Sequence, residues 1–162
     1  MQKKISIDSK INDITEKYYD LVYKLAYAKT RNRFDAEDVL QEVFLRYIRK
    51  QPQFENNDHE KAWFLRVTIN CSINLFVSSS KNKTTPLDIV NFGLNDEEKV
   101  LDEFLAQLPS KYLTVIHLFY YEDLKIVEIA KLLSMKESTV KMQLTRARRL
   151  LKTYMEVDKE NV

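Results

Sequence analysis

The residues best suited to chemistry lie between Ser138 and Arg149. Ser138, Lys141, Met142, Thr145, Arg146 and Arg149 recur at helical spacings, which gathers them on one side of an α-helix turning by about 100° per residue. That side mixes cations, hydroxyls and one flexible apolar side chain, with no carboxylate among them. Such a face suits a polyanion: the cations meet phosphates, and hydroxyl, guanidinium and apolar groups reach base edges. Val140, Leu144, Ala147 and Leu151 fall on the opposite stripe, at the i, i+4, i+7, i+11 spacing of a face that docks onto protein.

A second candidate set is Trp63, Arg66, Asn70 and Asn74, spaced by three and four. An indole, a guanidinium and two carboxamides in a row supply the stacking and hydrogen bonding that single-stranded nucleic acid requires. On spacing alone, a core tryptophan with solvated asparagines is the better reading. A third set is Asp38, Gln41, Glu42 and Leu45, with Arg49 beside them. An outward leucine in an acidic and amide rim has the composition of a protein contact patch, although single exposed leucines are common. Catalysis has only Cys71, His59 and His117 to draw on. Nothing in the sequence brings these together as nucleophile and base, nor do they have the spacing of a metal site.

These sets must be carried by helices. Ile126, Ile129, Ala130 and Leu133 mark a short amphipathic helix that ends in Ser134-Met135-Lys136 before the helix bearing Arg146 begins. Two helices joined by so tight a turn predict a helix-turn-helix, whose second helix enters the DNA major groove. Between Lys125 and Lys152 many cations oppose only Glu128 and Glu137, a local footprint for nucleic acid. Charge alone fits a merely solvated helix equally well; the turn and the two-faced pattern favour DNA.

Upstream, Asp13 with Glu16 predicts a capping box opening a first helix through Ile14, Tyr18, Leu21, Val22, Leu25 and Ala26. Asp35 is the expected N-cap of a second helix, Ala36 to about Lys50, with Val39, Leu40, Val43, Phe44, Tyr47 and Ile48 on its core face. After Pro52 and a polar loop carrying Phe54, Asn57 with Glu60 is expected to cap a third helix running to about Ser79, the most buried of this half. From Ser78 to Asn95 composition shifts to Ser, Thr, Asn and Lys with Pro86 and Gly93, which predicts a linker. Pro109 then separates a helix through Val100, Leu101, Phe104, Leu105 and Leu108 from one through Tyr112, Val115, Ile116, Phe119 and Tyr120, entering the latter at its first or second position. Past Tyr154 the tail is expected to fray.

Bulk properties agree. The chain has 162 residues, 44% hydrophobic, with a formal net charge of +2, so a nucleic-acid surface must be local. One cysteine precludes an intrachain disulfide, and one glycine precludes phosphate-cradling glycine loops. The N-terminus lacks a signal-peptide core, and no uncharged run is long enough to span a bilayer. The expectation is a cytoplasmic protein without membrane insertion.

Taken together these segments resemble bacterial RNA polymerase sigma factors of the extracytoplasmic-function (ECF) group, over about Ile14 to Tyr154. Asp35–Lys50, DAEDVLQEVFLRYIRK, is similar to the segment that grips the β′ coiled coil of core RNA polymerase. Trp63–Phe76, WFLRVTINCSINLF, is similar to the segment that opens the −10 element, and Leu108–Lys152 to the region that binds the −35 element. The family more often has glycine where Ser134 and Ser138 stand, Asp at Asn74, and an Arg-rich patch where Val77-Ser78-Ser79-Ser80 follow. Met142 and Gln143 stand where small and basic residues are common.

The resemblance implies an all-α protein of two small helical domains without a cofactor: residues 1–80 for polymerase binding and −10 melting, a flexible linker at 81–96, and 97–162 with the helix-turn-helix. It implies that Asp38, Gln41, Glu42 and Leu45 contact polymerase. Phe54, Trp63, Arg66, Asn70 and Asn74 would hold the unpaired −10 strand, and Ser138, Lys141, Met142, Thr145, Arg146 and Arg149 would meet −35 DNA. Partners would be core polymerase through its β′ coiled coil and β flap, promoter DNA, and an anti-sigma factor such as family members often have. The rival readings are a stand-alone helix-turn-helix regulator with a sensing or dimerising N-terminal half, and an interaction module that binds polymerase or an anti-sigma factor without directing initiation.

Overall fold

A computed structural model describes the backbone of residues 2–78 and 103–160 and the side chains of residues 7–75 and 103–160. The expected linker and the helix start at Val100 and Leu101 lie outside the described residues. The chain forms two units, Met1–Asn82 and Lys83–Val162, and every described element is helical.

In the first unit, α1 spans Gln2–Thr30, α2 Arg33–Lys50 and α3 Asn57–Ser78. Asp13 does not start α1. The apolar period continues back from Tyr18 through Ile14 and Ile11 to an exposed Ile7, so the helix extends beyond a polar pair that only resembles a cap. At Arg31 the backbone turns left-handed (φ 54°), and Asn32, not Asp35, caps α2. Its Oδ1 accepts from the Phe34 and Asp35 N–H groups at 2.9 and 3.1 Å, satisfying two donors that a helix start leaves open. Asp35 is instead half-buried in the first turn, and burial, with Asp38 nearby, pushes its carboxyl up.

Asn57 is likewise not the cap of α3. Asn56 Oδ1 accepts the His59 N–H at 2.8 Å. The Glu60 carboxylate reaches α1 rather than its own backbone, accepting from Lys17 Nζ at 2.8 Å and Tyr18 Oη at 2.7 Å. Burial alone would raise the Glu60 carboxyl, but these hydrogen bonds and the lysine charges bring it below its ordinary value.

The core centres on Phe64, fully buried, with the Tyr18 ring stacked on it at 4.2 Å and Tyr47, Phe44 and Trp63 within 6 Å. Thr68 and Ser72 are tolerated beside it because their hydroxyls donate to the carbonyls of Phe64 and Thr68 at 2.6 and 2.7 Å. α1, rather than α3, makes the most extensive packing with the other two helices, and α3 leaves Ala62, Arg66, Asn70, Ile73 and Asn74 exposed. Ile48 departs from the expected core face of α2: it is 41% exposed.

The second unit begins, among the described residues, with helical residues 103–106, which bury Phe104 and Leu105. Pro109 is the N-cap of the next helix rather than a residue inside it. α4, Ser110–Ile116, continues into a π-helical turn, His117–Tyr121, which period counting had not separated from α4. There His117 is buried, stacked on Tyr121 at 5.5 Å, with Nε2 3.2 Å from Glu122 Oε1. α5 spans Ile126–Leu133 and α6 Glu137–Glu160. The expected fraying past Tyr154 is not observed; α6 stays helical to Glu160 while exposing its last residues.

Between α5 and α6, Ser134 adopts the left-handed conformation (φ 54°, ψ 47°). The Met135 N–H reaches back to the Ala130 carbonyl at 2.9 Å, the long closing bond of a helix C-terminus ending in a left-handed residue. Serine therefore fills the place that glycine occupies more easily, and the turn keeps its form.

Candidate functional site

The turn at Ser134 and the burial of Ile129 and Ala130 on α5 set how α6 is presented. Val140 and Ala147 are fully buried and Leu144 nearly so, while Leu151 is half-buried. The opposite face is open: Ser138, Lys141, Met142, Thr145, Arg146 and Arg149 are all exposed. Thr145 Oγ1 donates to the Lys141 carbonyl at 2.9 Å, so its hydroxyl keeps acceptor capacity. Met142, 42% exposed, offers an apolar contact of the kind a thymine methyl takes.

The structure separates the arginines in a way that spacing alone did not. Arg148 Nε donates to Tyr120 Oη at 2.6 Å, and its guanidinium lies 5.8 and 5.5 Å from the Phe119 and Tyr120 ring centres. Arg148 thus clamps α6 to the π-helical turn. Gln143 was also missed: it is buried, and its Oε1 has no hydrogen-bond partner among the described residues. Polar residue type hid it.

On α3, Arg66, Asn70 and Asn74 stand exposed along one line with Trp63 at its head. Trp63 is only half-buried. Its ring meets Phe64, Phe54 and Tyr47 edge-on, with centroids 4.9, 6.0 and 6.1 Å apart, so neither simple reading suffices: the indole is both packed and partly open. Phe54, half-buried, is held between Trp63 and His59, whose centroid is 5.4 Å away. Ile73, 47% exposed next to this line, is an apolar neighbour that the expectation of a largely buried third helix did not single out. Cys71, on the buried side, has its thiol pushed up by burial.

On α2, Asp38, Gln41 and Leu45 are exposed, Leu45 by 43%. Ile48 adds a second apolar side chain at i+3 from Leu45. Glu42 is half-buried and paired with Arg46 at 3.1 Å and Arg49 at 4.0 Å, so its charge is partly balanced inside the helix surface.

Two family models match these units: Sigma-70 region 2 over residues 14–82 and Sigma-70 region 4 over residues 98–151. The RNA polymerase sigma factor SigV of Bacillus subtilis is 31% identical over 135 residues, covering 80% of this chain and 81% of that one. The chain belongs to the ECF group of RNA polymerase sigma factors. The ECF sigma factor SigW of the same organism is 29% identical over 160 residues, covering 86% of each.

Solved structures show the same fold. The sigma factor RpoE of Bartonella quintana, crystallised with the anti-sigma factor NepR, matches with a TM-score of 0.69 at 18% identity, over 90% of this chain and 98% of that one. CnrH in complex with the cytosolic domain of CnrY matches with a TM-score of 0.62 at 18% identity, over 93% and 90%. By its two family regions and its relatives, this sigma factor is a promoter-recognising initiation factor. Among its described residues no helix is long and apolar enough to cross a membrane.

Proposed function

We propose that the sigma factor divides promoter recognition between its two units, acting in the cytoplasm with core RNA polymerase. Residues 1–80 take polymerase and the −10 element, residues 97–162 take the −35 element, and 81–96 tether them. The observation that carries this reading is the two-faced α6: one side buried from Val140 to Ala147, the other an exposed row of cations, hydroxyls and Met142 without a carboxylate. Arg146, Arg149 and Lys141 clamp −35 phosphates or base edges, with Ser138, Met142 and Thr145 between them.

Asp38, Gln41, Glu42 and Leu45 contact the β′ coiled coil, and Ile48 joins them because its exposure extends the apolar centre of the patch. Trp63, Arg66, Asn70 and Asn74, with Phe54, hold the melted non-template strand; the half-open indole and the exposed amides support stacking and edge contacts. In the second unit an apolar groove of about 570 Å³, lined by Leu105, Ile116, Tyr120, Leu151 and Met155, receives a protein segment. That segment is the β flap in holoenzyme or an anti-sigma factor when the protein is held inactive.

In vitro transcription with purified core polymerase on genomic fragments tests the whole reading. Addition of the chain should produce discrete run-off products with permanganate-reactive thymines upstream of their starts. Initiation no more selective than that of core alone would overturn it.

A further inference from the structure

Resting on the assignment of the α3 stripe to the unpaired strand, we infer that His59 is a further member of that stripe, one that reads a base edge. His59, Trp63, Arg66, Asn70 and Asn74 follow at i, i+4, i+7, i+11 and i+15 on α3, and His59 is exposed like the three polar residues after it. Its ring is held from two directions. Nδ1 accepts the Glu55 N–H at 3.1 Å, and Phe54, itself edge-on to Trp63, stands perpendicular to the ring at a centroid distance of 5.4 Å. The His59 backbone N–H is fixed by Asn56 Oδ1.

Because Nδ1 is the acceptor, the ring N–H is on Nε2, on the far side of the imidazole from the loop. A donor already locked by packing and a backbone hydrogen bond loses little conformational freedom on binding. Set one helical turn before the indole on which a base would stack, it meets the edge of a neighbouring base rather than a ring face. The bases selected are those presenting an acceptor, a purine N7 or a carbonyl oxygen. Those presenting an amino group at that edge are rejected, because two donors would face each other.

Two substitutions separate this role from a purely structural one. His59→Asn keeps an acceptor near Nδ1 and removes the distal donor; His59→Gln keeps a distal donor and gives up the loop acceptor. Holoenzyme assembled with each variant is used to select from short single-stranded DNA oligonucleotides of random sequence, and the dissociation constant is measured on the parent's preferred sequence and its single-base variants. His59→Asn should flatten preference at one position and weaken binding of the preferred sequence about two- to tenfold, the span of one net hydrogen bond. Its melting temperature and core affinity should stay parental, and His59→Gln should keep the preference. Parental affinity and preference in His59→Asn, or equal loss in both variants with a lowered melting temperature, would overturn the base-reading role alone. A parent holoenzyme with no preference among single strands would overturn the assignment of the stripe itself, and this inference with it.

Discussion

Replacing both Leu45 and Ile48 by alanine tests the proposed polymerase patch with little risk to the fold. The two side chains are 43% and 41% exposed, so the free protein already leaves roughly two-fifths of each in water, and alanine is the strongest helix former. If polymerase covers that remaining surface, each residue contributes roughly two-fifths of the about 1.5–3 kcal/mol of full burial, or about 0.6–1.3 kcal/mol. The double variant should then lose about 1–2.5 kcal/mol, roughly a five- to sixtyfold rise in the Kd for core. Fluorescence titration of labelled sigma factor with purified core polymerase reads this directly. Because the lost contact is apolar, the change should be nearly the same at low and high salt, whereas Asp38→Arg should give a loss that shrinks as salt rises. An unchanged Kd with an unchanged melting temperature would refute the reasoning. A Kd that rises only in step with a falling melting temperature would place the two residues in the fold rather than at the interface.

Arg146→Ala and Arg148→Ala should behave differently although the residues are neighbours on α6. The first should weaken −35 duplex binding by about 1–3 kcal/mol if it meets a base, or lower the salt slope by about one if it meets phosphate. The second, which breaks the 2.6 Å bond to Tyr120, should lower the stability of the second unit by about 0.5–1.5 kcal/mol and leave the salt slope unchanged; filter binding across a salt series and thermal melts distinguish them. Ser134→Gly should raise that unit's stability by about 0.5–1 kcal/mol, because the left-handed φ at Ser134 strains a residue with a Cβ. A lower melting temperature would contradict the assigned turn. Glu60 has its carboxyl held below the ordinary 4.5, so its stabilising effect is present above that pH and lost as pH falls through the folded value. The melting-temperature difference between parent and Glu60→Gln should therefore be largest near neutrality and shrink below about pH 4.5, and a difference that grows with acid would disprove the sign.

The sequence by itself determined the buried face of α6 and most of that of α2. Val140, Leu144 and Ala147 on α6 and Val39, Leu40 and Val43 on α2 were legible because a helix repeats locally, and apolar residues at its period have only one side to leave water by. The exposed row from Ser138 to Arg149 followed from the same count, as did the helix-turn-helix, since Ser134 punctuates two periodic runs. The start of α1 was misread because a polar Asp-Glu pair can cap a helix or simply face solvent, and only Ile7 and Ile11 continuing the period tell them apart.

The tertiary structure decided everything that needs a partner from elsewhere in the chain. Glu60 leaves its own helix start for Lys17 and Tyr18, forty-odd residues earlier, so Asn56 caps α3. Arg148 turns to Tyr120, Ile48 finds no helix among the described residues to cover it, and Trp63 ends half-open between Phe54 and Phe64. Periodicity reports the direction in which a side chain leaves its helix; what waits there is set by packing between helices, a three-dimensional relation that residue order alone does not express.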